Sequence, residues 1–523
     1  MKLDIKDIFN KQLPADSEVK NFRRQVFNSC FSYVTPKVPS KPQLIHLSAA
    51  VSDLLGLSKK NIQSEAFLNT ITGTKVLENT KPYAMCYGGH QFGNWAGQLG
   101  DGRAINLFEI EHQNRHWSIQ LKGAGETPYS RSADGLAVLR SSIREHLCSE
   151  AMHYLGVSTT RSLSLALSGD DVLRDVMYNG NSAYEKGAIV CRVSQSFIRF
   201  GNFEIFASRQ DTKTLKTLTN YTIKHFYPNI KQNSKEGYLA FFKAVFDRSL
   251  DMVIHWQRVG FVHGVMNTDN MSILGLTIDY GPYGWLEGYD HDWTPNTTDK
   301  QFKRYRYGNQ PQMVLWNLLQ LANALYPLIE DVEGLESILH SYHNVYQERY
   351  LVMIRQKLGL QLVQDDDLQF FEELEHTLQL TETDMTIFYR NLSNISKDSN
   401  IKSDTFLNSI KEAFYKPDEL KGNILKSWET WFSKYINRLQ KEILSDAERK
   451  TLMNSVNPKY VLRNYMAQLI IDDANKGDYK LLNDIHTLLK NPYDEQEEHQ
   501  QWFAKRPEWA RHKVGCSMLS CSS

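Results

Sequence analysis

The chain has 523 residues, enough for one large two-lobed unit or a few domains, and 41% of them are hydrophobic, which is typical of a globular protein. Its 60 basic and 60 acidic residues give no net charge, which argues against electrostatic binding of nucleic acid. No apolar run is long enough to span a bilayer and the N-terminus resembles no targeting signal, so we expect a cytoplasmic protein without membrane or nucleic-acid partners.

The first informative element is a glycine-rich stretch, GGHQFGNWAGQLGDGR, at residues 88–103. Glycine lets backbone N–H groups come close to phosphate oxygens. The stretch does not match the P-loop pattern G-x-x-x-x-G-K-[ST], so a P-loop NTPase is disfavoured. A glycine-rich turn needed only for tight packing is the alternative, so the stretch alone is weak evidence for nucleotide binding.

A strand and a helix follow. Residues 117–122 alternate apolar and polar side chains, which predicts a half-buried strand ending at Lys122. Residues 135–155 place apolar side chains at helical spacing, which predicts an amphipathic helix carrying Glu145. Protein kinases place a phosphate-pairing lysine on the corresponding strand and pair it with a helix glutamate. The alternatives are a surface lysine and a solvated helix face.

Two arginines, Arg192 and Arg199, flank the run 193–198. If this run is a strand, the offset of seven sends the two side chains to opposite faces, whereas a bend or loop lets them converge. Arginine suits bidentate contacts to phosphate. A pair of unrelated surface arginines is the alternative.

The most informative motif is His263-Gly-Val-Met-Asn-Thr-Asp-Asn270, followed by Asp279-Tyr-Gly281. Protein kinases use H-R-D-x-x-x-x-N and then D-F-G to place a base and to hold two metal ions. His263 and Asn270 keep that spacing, but Val265 occupies the position of the catalytic aspartate and cannot accept a proton. The pattern therefore predicts retained metal ligands and a missing base.

Asn270 and Asp279 carry oxygen ligands suited to Mg²⁺ on nucleotide phosphates. Asp269 directly precedes Asn270 and is the natural replacement for the missing base, with a turn-capping aspartate as the alternative. The apolar run 271–278 predicts paired strands that deliver Asp279 to the site.

The rest of the chain is predicted to be mainly helical. The predicted helical segments are 238–259, 313–329, 337–358 and several after residue 404. A mixed part, 1–205, followed by a helical part, 206–523, predicts an α+β, protein-kinase-like bilobal fold. Its N-terminal lobe contains the sheet, the glycine loop and the helix with Glu145, and its C-terminal lobe contains the catalytic and metal loop.

Taken together, long motifs resemble those of the selenoprotein O family of kinase-like protein adenylyltransferases. The matching stretches are residues 87–103, 120–125, 128–131, 133–135, 138–145, 263–272, 279–282 and 521–523. That family is similar to protein kinases in fold but binds ATP in a flipped orientation, so that the α-phosphate faces the acceptor. The resemblance implies transfer of AMP to a Ser, Thr or Tyr hydroxyl of a protein, with release of pyrophosphate.

The resemblance also implies roles for individual residues. The expected nucleotide contacts are Gly100, Gly102, Arg103, Lys122, Asp134, Gly135, Arg192, Arg199 and Asp279. Asn270 and Asp279 would hold Mg²⁺, with Mn²⁺ as the alternative metal, Asp269 would be the base, and Glu145 would support Lys122. A flipped nucleotide puts phosphates into the usual adenine slot, which then needs cations such as Arg192 and Arg199. The implied partners are ATP and hydroxyl-bearing proteins, redox-related proteins among them.

Three other functions stay open at this point. A true kinase would transfer the γ-phosphate using Asp269, a redox-sensitive pseudokinase scaffold would only bind ATP, and a related enzyme would transfer UMP from UTP. The retained Asn270 and Asp279 argue against the scaffold, and Val265 argues against the kinase. Nothing in the sequence separates ATP from UTP.

Six cysteines are too few and too scattered for a disulfide framework, which favours a reducing compartment. Selenoprotein members of the family carry selenocysteine third from the end, where this chain has Cys521. The resemblance to some bacterial members would imply a redox switch, in which a terminal cysteine pairs with a cysteine in the activation segment. In this chain that segment, residues 281–311, contains no cysteine. A local Cys516–Cys521 bridge and two free thiols are the remaining alternatives, and we favour free thiols.

Overall fold

The computed structural model describes residues 3–399 and 403–520 and is a mixed α+β structure. The strands in these ranges are β1 (Phe31–Tyr33), β2 (Gln43–Leu47), β3 (Tyr83–Met85), β4 (Gly88–Gln91), β5 (Asn94–Gln98), β6 (Ala104–His112), β7 (Arg115–Lys122), β8 (Ala137–Val138), β9 (Arg161–Arg174), β10 (Ala183–Ser194), β11 (Phe261–Val262) and β12 (Gly284–Trp285).

An antiparallel sheet dominates the part of the chain before residue 195. Its strand order is β1-β3-β6-β7-β10-β9-β2, and the short β8 pairs with β10 beside this path. Strands β4 and β5 form a separate hairpin, and β11 pairs with β12. The sheet therefore places Lys122, the last residue of β7, opposite Val190 in the second half of β10.

The helices of the described ranges lie mostly after residue 200. They are α1 (Phe9–Gln12), α2 (Ala49–Leu54), α3 (Lys59–Ile62), α4 (Glu65–Ile71), α5 (Leu139–Tyr154), α6 (Phe200–Ser208), α7 (Thr212–Phe226), α8 (Lys235–Val259), α9 (Gln310–Ile329), α10 (Val332–His340), α11 (Tyr342–Leu358), α12 (Asp367–Leu378), α13 (Met385–Leu392), α14 (Ser403–Ile410), α15 (Gly422–Leu439), α16 (Asp446–Val456), α17 (Asn464–Asn475) and α18 (Lys480–Leu488). Short 3₁₀ helices span Thr268–Asn270, Thr297–Asp299, Tyr307–Asn309, Lys411–Ala413, Pro417–Glu419, Glu497–Trp502 and Glu508–Ala510.

Strand β7 forms where the sequence predicts it, but it is not half-buried. Its residues from Trp117 to Leu121 are all buried, since β7 lies between β6 and β10 in the middle of the sheet. The polar side chains on it are hydrogen-bonded: Ser118 donates to Glu109 and Gln120 donates to Asn106. The alternation of apolar and polar residues therefore predicted the strand correctly, but its prediction of a half-buried strand was wrong.

Helix α5 also forms as predicted, and the alternative of a solvated helix face is wrong. The helix packs against β9 and β10 and against α17 and α18, so it has almost no exposed face. Its buried charges have partners: Glu150 accepts from Arg161, and Arg144 donates to the backbone oxygen of Tyr283. Buried charges need such partners, and these pairs explain how a helix with charges on several sides can sit inside the protein.

The run 271–278 does not form the predicted paired strands. Instead, its two ends make isolated bridges to different segments, Ser272 to Arg199 and Thr277 to Thr159. Between them Gly275 has a φ of 66° and its N–H donates to the backbone oxygen of Ser272, so the chain turns instead of extending.

The later helices agree with the predicted segments, with one exception. Helices α8 and α9 cover the predicted ranges 238–259 and 313–329 and pack against each other. The predicted helix 337–358 is divided at Ser341 into α10 and α11. A second apolar core, which contains Trp428, Trp431 and Phe432, joins helices α11–α16.

The described C-terminal residues pack against two distant parts of the chain. Leu519 is buried and forms a parallel bridge with Asn296, and the hydroxyl of Ser520 donates to the backbone oxygen of Val176. Among the described cysteines (30, 86, 148, 191 and 516) there is no disulfide, and Cys521 lies outside the described residues. Among the described helices, none is both long enough and apolar enough to cross a membrane.

Candidate active site

A cavity of about 720 Å³ opens between the sheet and the loops around residues 265–282. The predicted site residues that line it are Gly100, Gly102, Arg103, Lys122, Asp134, Gly135, Arg192, Arg199, Asp269, Asn270 and Asp279. Glu145 lies behind this wall, against Lys122. The fold therefore brings together every residue that the sequence predicts for the site.

Lys122 is held in the cavity by two carboxylates. Its Nζ lies 2.6 Å from Glu145 Oε2 and 3.8 Å from Asp279 Oδ1. Burial lowers the pKa of Lys122, and the two neighbouring carboxylates oppose that effect. The position at the end of β7 and the glutamate on α5 together fix the direction of the ammonium group.

Arg192 and Arg199 converge, because the chain between them is not a continuous strand. Strand β10 ends at Ser194, whose hydroxyl donates to the backbone oxygen of Ser196. The turn that follows leads to Arg199, directly before α6. Of the two geometries that the sequence leaves open, the bend is correct. Both arginine side chains are almost completely buried, with 2% and 1% exposed.

Each of the two guanidinium groups contacts one oxygen of the Asp279 carboxylate. Arg192 Nη1 lies 2.6 Å from Asp279 Oδ1, and Arg199 Nη1 donates to Asp279 Oδ2. Arg192 also donates to Glu145 over 2.9 Å, and Arg199 to the backbone oxygen of Asp269 over 2.8 Å. Burial alone would raise the pKa of Asp279, but Arg199, Arg192 and Lys122 hold it well below its usual range.

Asp279 and Asn270 carry side-chain oxygens of the type that could hold a metal ion. Asn270 donates its amide nitrogen to the backbone oxygen of Val265, which leaves its carbonyl oxygen for a ligand. Among residues 3–399 and 403–520, no group of three or more His, Cys, Asp and Glu side chains could hold a metal alone. The two oxygens thus fit a hard cation whose other ligands are phosphates and water.

Asp269 is a buried carboxylate with one oxygen that accepts no hydrogen bond. It lies in the 3₁₀ turn Thr268–Asn270, its Oδ2 accepts from Gln91 Nε2 over 3.2 Å, and its Oδ1 has no hydrogen-bond partner. Burial raises the pKa of Asp269 to about 7, which is a suitable value for a general base near neutrality. Val265, at the usual position of a kinase base, lines the same cavity with an apolar side chain.

The glycines at positions 100, 102 and 135 are required by packing. Gly100 has a φ of 86°, and a Cβ there would lie 2.4 Å from the ring of Tyr129. A Cβ at Gly102 would lie 2.9 Å from the backbone oxygen of Tyr129, and one at Gly135 would lie 2.1 Å from that of Gly125. Both the packing explanation and the nucleotide explanation of the motif are therefore compatible with the geometry.

Asp134 forms an ion pair at the rim that the sequence did not suggest. Both of its oxygens lie 2.8 Å from the guanidinium of Arg174, at the end of β9. Arg174 and Tyr178 line the cavity but belong to no recognisable motif, so sequence reasoning missed them. It also missed Gln91 and Asp101, although both lie inside the glycine-rich stretch.

Comparison with known proteins identifies the family of the chain. The family model described as protein adenylyltransferase SelO matches residues 18–490. A Flavobacterium johnsoniae protein named protein nucleotidyltransferase YdiU is 62% identical over 521 residues, which cover 100% of this chain and 99% of that protein. Proteins of the same name from Rhodopirellula baltica and an Azoarcus species are 52% and 50% identical, each over 98% of both chains. The chain therefore belongs to the SelO family of protein adenylyltransferases.

Proposed function

We propose that this protein transfers AMP from ATP to hydroxyl groups of other proteins and releases pyrophosphate. In this proposal residues 1–205 and 206–523 are the two lobes of a kinase-like fold, and ATP binds between them with its phosphates innermost. The observation that carries the proposal is the pair of buried arginines, Arg192 and Arg199, at the cavity wall. Adenine at this position would not supply the negative charge that two buried guanidinium groups need as a partner.

The arginines and Lys122 would receive the β- and γ-phosphates. Guanidinium groups bind phosphate oxygens in the same bidentate manner as carboxylates, so phosphates can replace Asp279 as their partner. Asp279, once released, can turn to a metal ion. Gly100, Gly102 and Arg103 would contact the nucleotide along the loop before β6, and Asp134 and Gly135 would contact it at the rim.

Asn270 and Asp279 would hold Mg²⁺, or Mn²⁺ in its place. When bound, the metal supplies charge neutralisation and polarises the phosphate oxygens that it contacts. The residues of the chain have the remaining tasks: they orient the triphosphate, exclude water and hold the acceptor proton.

The reaction then follows from the position of Asp269. The acceptor hydroxyl loses its proton to the Asp269 carboxylate as its oxygen forms a bond to the α-phosphorus. The bond between that phosphorus and the oxygen bridging to the β-phosphate breaks, and pyrophosphate leaves with the bonding electrons. Lys122, Arg192 and Arg199 stabilise the charge that develops on the leaving group.

The test uses ATP labelled at either the α- or the γ-phosphate and, in a parallel reaction, UTP labelled at the α-phosphate, with Mg²⁺ and a mixture of candidate acceptor proteins. We expect the α-label to reach protein, and we expect Asp279→Ala to abolish the transfer while the protein still unfolds cooperatively. Transfer of the γ-label would instead identify a kinase, and α-label transfer from UTP in preference to ATP would identify a uridylyltransferase. Tight ATP binding without transfer of either label would support a scaffold.

A further inference from the structure

Asp101, in the turn before β6, is a buried carboxylate that the proposed mechanism does not use. It is 1% exposed and lines the cavity. Its Oδ2 accepts hydrogen bonds from the backbone N–H of Met85 at 3.0 Å and from Asn106 at 3.2 Å. Its Oδ1 has no hydrogen-bond partner, and Arg199 Nη2 lies 3.9 Å away from it. A buried oxygen without a hydrogen bond is costly and therefore needs an explanation.

Asp101 is also connected to the second arginine. Gln120 Nε2 approaches Asp101 Oδ2 at 3.5 Å, while Gln120 Oε1 accepts from Arg192 Nη2. The carboxylate thus faces Arg199 directly and reaches Arg192 through one intervening amide. Among the described residues, these links make Asp101 the acidic side chain common to both arginines besides Asp279.

The charges of the cluster show why a second carboxylate is needed. In the free protein Arg199 has Asp279 as its close ionic partner, and Arg192 has Asp279 and Glu145. If Asp279 turns to a metal ion, Arg192 keeps Glu145, whereas the carboxylate that remains within 4 Å of Arg199 among the described residues is that of Asp101, at 3.9 Å. The guanidinium of Arg199 also lies 4.6 Å from the ring of Tyr87, which cannot balance a full charge.

We propose that Asp101 is a positioning residue that holds Arg199 directly, and Arg192 through Gln120, in place for the triphosphate while Asp279 binds the metal. The inference rests on the proposed function, because it assumes that the arginines receive phosphates. It adds a role for a residue between the two glycines of the motif, where sequence reasoning assigned none.

The test is a double-mutant cycle on nucleotide binding, with Asp101→Asn, Arg199→Lys and the double variant. Calorimetry with ATP and with adenosine, both in the presence of Mg²⁺, measures the four affinities. We expect each single change to weaken ATP binding by about 10- to 100-fold, the usual range for a hydrogen bond to a charged group, and to leave adenosine binding unchanged. The double variant should bind ATP no more weakly than the worse single variant, since the two residues act as one unit.

A matched control is Glu109→Gln, a buried carboxylate on the adjoining strand β6 that contacts Ser118 and the backbone of Phe9 instead of the cavity. It should leave ATP binding unchanged. If Asp101→Asn unfolds, Gln120→Met removes the link to Arg192, together with the hydrogen bond to Asn106, and leaves Asp101 facing Arg199. We then expect a smaller loss of ATP affinity with adenosine binding intact.

The outcomes distinguish a failure of the inference about Asp101 from a failure of the proposed function. Additive losses in the cycle, or a parallel loss of adenosine binding, would show that Asp101 only supports the fold. If wild-type protein binds ATP no more tightly than adenosine, or if Arg199→Lys is silent, the proposed function itself is wrong. If Arg199→Lys weakens ATP binding and both Asp101→Asn and Gln120→Met are silent, only the inference about Asp101 is wrong.

Discussion

Asp279 has two partners in the free protein that it cannot keep if it binds a metal. Its backbone has a φ of 59°, a left-handed conformation that is uncommon for residues other than glycine, and both of its oxygens contact buried arginines. The carboxylate therefore occupies the place that phosphates take in the proposed complex. This arrangement couples the nucleotide to the metal, because phosphates must release Asp279 before the metal can use it.

The coupling predicts weak metal binding in the absence of nucleotide. Titration with Mn²⁺, followed by electron paramagnetic resonance, should detect no tight site in the wild-type protein alone. Arg192→Ala should tighten Mn²⁺ binding by about tenfold or more, since a unit charge at about 4 Å is worth about 4 kcal/mol near a protein surface. Arg209→Ala, which removes an arginine that contacts Val26 and Gln98, is the control. Tight Mn²⁺ binding by the wild-type protein, equal to that of the variant, contradicts the coupling.

Asp269 should matter for turnover far more than for binding. Asp269→Asn removes the base and keeps the shape, so we expect AMP transfer to fall by about 10²- to 10⁴-fold while ATP affinity stays within about threefold. Single-turnover rates and calorimetry measure the two quantities. Val265→Asp in the Asp269→Asn background should not restore transfer, because the flipped nucleotide presents a different phosphate there. Equal losses of rate and affinity would make Asp269 a metal ligand instead.

At the scale of elements, the loop 123–136 has a close approach of backbone to backbone at Gly135. Gly135 has a φ of 69°, and a Cβ at this position would lie 2.1 Å from the backbone oxygen of Gly125. Backbone cannot move aside as a flexible side chain can, so Gly135→Ala should displace the loop and weaken ATP binding by about tenfold or more. Gly97→Ala is the matched control, since it has a φ of 71° but nothing within 4 Å. Nearly equal ATP affinities of the two variants would show that backbone strain, and not the clash, matters here.

The elements also show what the sequence could and could not predict. The order of glycine loop, strand lysine, helix glutamate and His263–Asn270 motif predicted part of the site, because each of these residues is tied to a motif. The contacts at Asp134 and Gly135 were implied only by the family resemblance. Burial was predicted poorly: alternation in β7 and helical spacing in α5 do not reveal that neighbours cover both faces. Asp101 was missed because its role depends on Arg199, which is nearly a hundred residues away in sequence and is brought near by the fold.

At the scale of the whole molecule, three buried histidines join distant parts of the chain. His46 on β2 lies 2.7 Å from His146 on α5, and its ring packs against that of His486 on α18. Burial lowers the pKa of His46 to about 3 and that of His486 to about 4, and it holds the pKa of His146 well below its usual range. The three rings are therefore neutral in the folded protein at neutral pH. The other charged groups near the cluster are Lys490, Glu150 and Arg161.

These depressed values predict that acid destabilises the protein. An unfolded histidine titrates near 6.5, so below that pH the unfolded chain binds more protons than the folded one, and stability is lost as the pH falls towards about 4. Each such group contributes about 1.4 kcal/mol per pH unit over this window. The unfolding temperature should drop steeply from about pH 7 to about pH 5, and His486→Gln should make the drop shallower even if the variant is less stable at pH 7.

The control for this prediction is His340→Gln, which removes an exposed histidine at the end of α10. Its unfolding temperature should depend on pH as that of the wild-type protein does. If His486→Gln shows the same dependence as this control, other groups cause the acid sensitivity.

The contacts of Leu519 and Ser520 join residues that are synthesised at very different times. Leu519 contacts Thr297, 222 residues earlier, and Ser520 contacts Val176, 344 residues earlier. Chains fold from their N-terminal part onward as the ribosome releases them, so these two contacts form long after Val176 and Thr297 have been synthesised. Val176 belongs to the segment between β9 and β10 that also carries the cavity residue Tyr178. The segment that carries Tyr178 therefore gains its contact with Ser520 only after that residue has emerged from the ribosome.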